Sequence, residues 1–350
     1  MALDFTGILQ SMQRGALVSL EWVGELTKNP TRYRAVVNGV LGDTLAEQGS
    51  DLAIEMELFD SCQLGERPVR KFYPSLNKKL VILVHGLCDL ETVWLNPKDE
   101  STTFGTQLQK DLGYHPLYLR YNSGLHISTN GQKLSQLLTD TLAQAKIEIE
   151  EIVFIGHSMG GLVVRSACHY GELNKADWVK RVSKVFLLGT PHLGTDLEKV
   201  GHLTQVILQT IPNPFTKGLA ALGKQRSAGI KDLRFGNLLD EDWQDESKDS
   251  WWKDNRHPVP LLPGVDYYIL SASLAKQSGN LIADYFGDGL VPIRSAQGKS
   301  FRKSKSIPFP PENVKVFSGI SHVALPQHAR VYARIRAAWP AADSKDTAKK

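Results

Sequence analysis

Apolar positions along the chain form two kinds of run that alternate. Leu80-Val81-Ile82-Leu83-Val84 is apolar throughout, the pattern of a strand covered on both faces of a parallel sheet. Leu117-Tyr118-Leu119-Arg120-Tyr121, Ile152-Val153-Phe154-Ile155, Val182 to Leu188, Tyr267 to Leu270 and Val314-Lys315-Val316-Phe317 read as further strands. Between them the spacing turns helical: Leu134, Leu137, Leu138, Leu142 and Ala145 mark one helix face, Gly160 to Tyr170 reads as a second helix, and a last helix is expected over roughly 326–338. Strands alternating with helices predict an α/β protein whose mostly parallel central sheet is flanked by helices on both faces.

Two regions depart from this rhythm. Residues 3–26 place Phe5, Ile8, Leu9, Met12, Leu17, Leu20 and Val23 at near-helical spacing, with Asp4 near the start. An amphipathic helix is expected there, packing on the domain or on a second copy; its polar face lacks the Lys and Arg of helices that lie on lipid. Residues 195–262 combine an apolar stretch from Leu203 to Ile211, Pro212 and Pro214, and an acidic patch with Trp243, Trp251 and Trp252, without a recognisable strand. An insertion on the loop face of a sheet is a place to build a helical cap over a site. The expected organisation is an N-terminal helical extension (1–55), an α/β domain (56–340) with a cap at about 195–262, and a disordered tail (341–350) of small and charged residues.

Candidate chemistry sits where a strand turns into a helix. Gly156-His157-Ser158-Met159-Gly160 follows the run ending at Ile155 and opens the next helix, which is the context that gives G-x-S-x-G its meaning as a nucleophile turn. The flanking glycines permit a turn tight enough to project the hydroxyl of Ser158, and the helix N-terminus favours negative charge developing beside it. A serine hydroxyl needs a base, and the base a carboxylate. His192, His202, His257, His322 and His328 lie beyond that helix. His322 follows the last strand through Ser318-Gly319-Ile320-Ser321 and is the best placed, whereas His328 is expected one to two turns into the final helix, in a surface or packing role. Gly287-Asp288-Gly289-Leu290-Val291-Pro292 sets Asp288 in a glycine-flanked turn; Asp284 is its nearest rival, and Asp196 and Asp266 sit at the wrong points relative to the strands. Oxyanion donors are expected from the backbone N–H of Met159 and of Leu87, in the His85-Gly86-Leu87 turn after the first strand, with His85 a structural hydrogen-bonding residue. Cys88 lies close by, but nothing favours a thiol mechanism.

Composition narrows the class. In 350 residues, 41 basic residues stand against 37 acidic, a formal charge of +4 scattered along the chain, which gives no footprint for nucleic acid. The three cysteines, Cys62, Cys88 and Cys168, show no metal-ligand spacing and are too few for a disulfide framework. No basic n-region with an apolar core opens the chain and no run approaches the roughly 20 apolar residues of a membrane span, so a cytoplasmic protein is expected.

These residues resemble the α/β-hydrolase superfamily, and within it the lipase branch together with proteins similar to glycosylphosphatidylinositol inositol-deacylases. The resemblance rests on Val84-His85-Gly86-Leu87, Gly156-His157-Ser158-Met159-Gly160-Gly161-Leu162-Val163, Gly189-Thr190-Pro191-His192-Leu193-Gly194-Thr195, Gly287-Asp288-Gly289-Leu290-Val291-Pro292 and Ser321-His322. Asn38-Gly39-Val40-Leu41-Gly42-Asp43 is similar to a segment found ahead of this domain in bacterial lipase-like hydrolases. The resemblance implies a catalytic triad of Ser158, Asp288 and His322, an oxyanion hole at Leu87 and Met159, a cap over an acyl pocket, and no cofactor. The calcium site of some bacterial lipases finds no residue-by-residue match, so no metal is expected. The function implied is hydrolysis of a small-molecule or lipid ester with an apolar acyl chain. A thioesterase, an acyltransferase and a non-catalytic scaffold remain as alternatives, and a homodimer and transient contact with a lipid interface stay open.

Overall fold

The computed structural model describes residues 30–62, 68–69, 76–145, 147–195, 226–244, 256–274, 288, 290–300 and 302–340. Seven strands form one sheet: β1 (Glu57–Phe59), β2 (Lys79–Val84), β3 (His115–Arg120), β4 (Glu151–His157), β5 (Val182–Leu188), β6 (Asp266–Ser273) and β7 (Val314–Ser318), in the order β1-β3-β2-β4-β5-β6-β7. β1 runs antiparallel to β3 and every other pairing is parallel. This order, with a sharp turn from β4 into a helix, is the α/β-hydrolase arrangement.

The continuous apolar runs are explained by burial on both faces. Leu80, Ile82 and Val84 of β2 and Ile152 and Phe154 of β4 join one core; Val81, Leu83, Val153 and Ile155 join the other. The first core takes the apolar faces of α3 (Ile127–Gln144) and α4 (Met159–Leu173). The second takes Phe104 and Leu108 of α2 (Phe104–Leu112) and Val331 and Ile335 of α7 (Ala329–Arg336). Register then aligns the strand ends: Val84 lies beside Gly156, His157 beside Leu188, and Leu188 beside Leu270. The turns that leave these strands therefore meet along one rim.

Three elements go beyond the sequence reading. β1 is a three-residue edge strand, too short to show a period. α2 is set by a capping box in which Thr103 Oγ1 accepts from Thr106 N at 2.9 Å and Thr106 Oγ1 from Thr103 N at 2.8 Å. α1 (Pro30–Glu47), kinked at Leu41, lies within the span 1–55 of the expected extension, whose residues 1–29 are outside the described residues. The final helix begins later than expected: residues His322–Gln327 form a 3₁₀ turn containing Pro326, and α7 follows. Proline has no N–H and disfavours the α conformation in the residue before it, so the helix restarts after it. His328 is thus not inside the helix but at its N-cap, where its Nδ1 accepts from Arg330 N at 3.1 Å.

Within 195–262 the described part contains α5 (Ala228–Phe235) and no sheet strand. α5 packs onto the body: buried Asp232 accepts from Ile127 N at 2.8 Å, and Ser166 Oγ donates to Leu238 O at 2.7 Å. The expected helix at 3–26, the apolar stretch Leu203 to Ile211, Trp251, Trp252, Asp284, His202 and the tail lie outside the described residues. Among the described residues, no helix is long and apolar enough to cross a membrane.

Candidate active site

β4 delivers Ser158 to the rim. Its φ of 53° and ψ of −124° are a strained combination for a side-chain-bearing residue, held because Ser158 N donates to Leu188 O at 2.8 Å. A Cβ on Gly156 would lie 2.6 Å from Gly161 Cα, and one on Gly160 2.3 Å from Val84 O. The two motif glycines are therefore dictated by the closeness of strand, turn and helix.

Three further turns converge on this point. The first follows β2: a Cβ on Gly86 would sit 3.1 Å from Ser158 Cβ, so the backbone of this turn passes directly against the serine. Leu87 N–H has no hydrogen-bond partner among the described residues, and Met159 heads α4, where first-turn N–H groups lack intrahelical acceptors. His85 is fully buried, with Nδ1 2.8 Å from Gly86 O and its ring stacked on Tyr121 at 4.3 Å. Burial pushes its pKa down to about 3, which keeps it neutral.

The second turn follows β5. Gly189, at φ +59°, lets the ring of His322 lie over the backbone: a Cβ there would be 3.0 Å from His322 Cε1 and Nδ1. Thr195 Oγ1 donates to Leu290 O (2.9 Å), and Ser295 Oγ bridges Leu193 N (3.1 Å) and Gly194 O (2.5 Å). These bonds brace the 190–195 segment against the turn that carries Asp288. Ser295 had no motif to announce it.

The third turn follows β7 and carries His322. Its Nδ1 lies 2.7 Å from Asp288 Oδ2, with both side chains 2% exposed. The other carboxylate oxygen, Oδ1, accepts from Leu290 N (3.1 Å) and Val291 N (2.8 Å). His322 Nε2, across the ring from the Asp288-bonded nitrogen, is buried without a hydrogen-bond partner among the described residues. His157, the variable residue of the motif, binds the same turn through Nε2 to His322 O at 3.1 Å. A carbonyl only accepts, so His157 donates from Nε2. Burial, reinforced by nearby His322, holds its pKa well below the usual imidazole value.

The competing histidines among the described residues are committed elsewhere. His192 is buried, its Nδ1 3.5 Å from Arg165 Nη1, with a pKa depressed by burial and by Arg165 and Arg256. His257 pairs with Asp242 at the surface, and Asp266 pairs with Lys184 at the start of β6. The thiol of Cys88 is buried, which pushes its pKa up and keeps it protonated.

Part of the chain matches a known family. Residues 74–234 match the family described as "Putative serine esterase (DUF676)". That segment runs from before β2 to α5 and includes Gly86, Leu87 and the Ser158 turn; Asp288 and His322 lie beyond it. A Saccharomyces cerevisiae protein named as a putative lipase is 22% identical over 260 residues, 69% of this chain and 35% of that protein. The chain thus spans about a third of that relative's length. Among solved structures, the Bacillus licheniformis lipase BlEst2 in its propeptide form is 16% identical, covering 84% of this chain and 56% of that one, with a TM-score of 0.49. A Pyrobaculum calidifontis esterase is 11% identical, covering 88% and 91%, with a TM-score of 0.45.

Proposed function

We propose that this protein is a serine carboxylic-ester hydrolase in which Ser158 attacks, His322 transfers the proton, Asp288 orients His322, and the N–H groups of Leu87 and Met159 receive the oxyanion. The observation that carries the reading is the buried 2.7 Å bond between Asp288 and His322 Nδ1 beside the strained Ser158 turn. A carboxylate on Nδ1 fixes the tautomer with its proton there, so Nε2 offers a lone pair to a hydroxyl. The proton taken from Ser158 passes to the leaving alkoxide. A water activated by Nε2 then releases the acid and restores the serine. Each tetrahedral intermediate places its negative charge at two backbone donors and the N-terminus of α4. An apolar acyl chain as the recognised part rests on the lipase kinship and on the apolar segment Leu203 to Ile211.

The direct test is labelling by a fluorophosphonate. Wild type is expected to take the label and Ser158→Ala to take none, with hydrolysis of p-nitrophenyl esters lost in parallel. A folded wild type that stays unlabelled ends the reading. A panel of p-nitrophenyl esters of rising chain length beside the matching acyl-CoA thioesters reads the substrate class, and faster turnover of the thioesters would turn the assignment to a thioesterase.

A second prediction concerns His157. His157→Phe leaves the His322 carbonyl buried and unpaired, at a cost of about 1–3 kcal/mol in a urea titration. It also frees the turn that positions the imidazole, lowering kcat roughly tenfold. Unchanged turnover in a folded variant would show that the bond does not position His322.

A further inference from the structure

The segment Asn38-Gly39-Val40-Leu41-Gly42-Asp43 has no part in the hydrolytic steps, yet its polar and glycine positions bind loops at or beside the site. Asn38 Oδ1 accepts from Ile54 N at 2.9 Å and its Nδ2 donates to Leu52 O at 2.8 Å, fixing the chain that leaves α1. A Cβ on Gly39 would lie 2.1 Å from Cys88 Sγ and 2.9 Å from Cys88 Cα. One on Gly42 would lie 1.8 Å from Asn122 Oδ1, while Gly42 O accepts from Asn122 Nδ2 at 2.8 Å. Gly39 O accepts from Ser227 Oγ at 2.6 Å, and Asp43 Oδ2 from Ala228 N at 2.8 Å, which ties the same face to the start of α5.

Cys88 is the point that matters. It follows Leu87 and has a φ of +59°, a conformation that a side-chain-bearing residue keeps only when its surroundings hold it. It is held from two directions. Its N–H donates to Ser123 Oγ at 2.9 Å, and its side chain rests against Gly39 with Val36 O 3.9 Å from Sγ. Ser123 belongs to the turn that Gly42 and Asn38 press upon, since a Cβ on Gly124 would lie 2.0 Å from Asn38 O. The closeness of α1 thus sets two neighbouring turns at once, and the Leu87 N–H leaves the chain one residue before the clamp.

We infer that the Gly39–Gly42 face of α1 is a positioning device for the oxyanion hole, holding Leu87 N–H in place through Cys88 and Ser123. The inference rests on the hydrolytic reading above and adds residues outside the reacting set. Gly39 and Ser123 are positioning residues, because they act on the donor through another residue.

The test is Gly39→Ala. The added methyl cannot share its place with Cys88, so the turn must retreat by about an ångström, a displacement that lowers kcat roughly 10- to 100-fold. KM on a p-nitrophenyl ester is expected to stay near wild type, because an oxyanion donor acts on the transition state. Affinity for a trifluoromethyl ketone, whose adduct places an oxyanion on the same donors, is expected to fall in parallel with kcat/KM. Adding Cys88→Gly removes the clashing sulfur and suits the positive φ, leaving only the 2.9 Å approach to the backbone, and is expected to restore part of both. Leu45→Ala, on the same helix and also buried, should lower the melting temperature and keep kcat. If Gly39→Ala does not fold, Ser123→Ala makes the same test by withdrawing the acceptor of Cys88 N–H. A folded Gly39→Ala or Ser123→Ala with wild-type kcat and ketone affinity overturns the inference, as does an equal kcat loss in Leu45→Ala. A wild type that neither hydrolyses the ester nor binds the ketone ends the hydrolytic reading and this inference with it; an active wild type with unaffected variants ends this inference alone.

Discussion

Asp288→Asn is expected to lower kcat for ester hydrolysis by about 10⁴-fold, the loss seen when the equivalent change is made in a serine protease, with the fold intact. The reason lies in the two carboxylate oxygens. Oδ1 accepts from Leu290 N and Val291 N, so only an oxygen can remain in that place. The amide of asparagine must then keep its carbonyl toward those donors and present its NH₂ to His322 Nδ1. A donor at Nδ1 drives the imidazole to the tautomer with its proton on Nε2, which cannot accept from a hydroxyl. Size and packing scarcely change, so circular dichroism and the melting temperature should stay near wild type while turnover collapses. A folded variant that retains more than about a tenth of wild-type kcat would remove Asp288 from the orienting role, since tautomer control is worth orders of magnitude.

That four turns should meet at one rim was legible because each lies just past the carboxyl end of a strand: His85-Gly86-Leu87, Ser158, Gly189 and His322 all follow apolar runs that could be read directly. Double-sided burial makes such runs continuous, and the parallel register carries their ends to the same level. What could not be read depends on distances across the chain. α1 shows little amphipathic pattern because Ala35, Val36, Val37 and Val40 are buried together with Asn38, so its helical period is blurred. Its glycines announce close contact with something, and only the fold shows that the partners are Cys88 and Asn122. His157 acts through one bond to a backbone carbonyl and Ser295 through two, from a backbone amide and to a backbone carbonyl, and no local pattern encodes those. His328 was misplaced because helical spacing continues through Pro326, whereas the backbone bond that would carry the helix does not.

The buried imidazoles set how the fold responds to acid, and the expected loss is large. His85, His157 and His192 are buried, and burial pushes their pKa values down from the usual 6.5, to about 3 for His85 and well below the ordinary value for the other two. In the unfolded chain all three take up protons as pH falls through about 6.5, whereas in the folded state they do not. Stability from this source is complete above that pH and is lost as pH drops toward the folded values. Asp89 works the other way: burial raises its pKa to about 7, so the folded state gains a proton there that the unfolded carboxyl takes up only near 4. The depressed imidazoles, His115 among them, outnumber the one raised carboxyl, so the unfolded chain binds more protons than the folded one as pH falls below about 6.5, and stability falls with a positive slope in pH. Urea titrations at pH 7.5, 6, 5.25 and 4.5 would measure it. His192→Phe, which removes one of them without touching Ser158, is expected to make the dependence of stability on pH shallower. A flat stability between pH 6 and 4.5 would mean that these imidazoles titrate alike in both states, and the dry, neutral surroundings described for His85 and His157 would have to be abandoned.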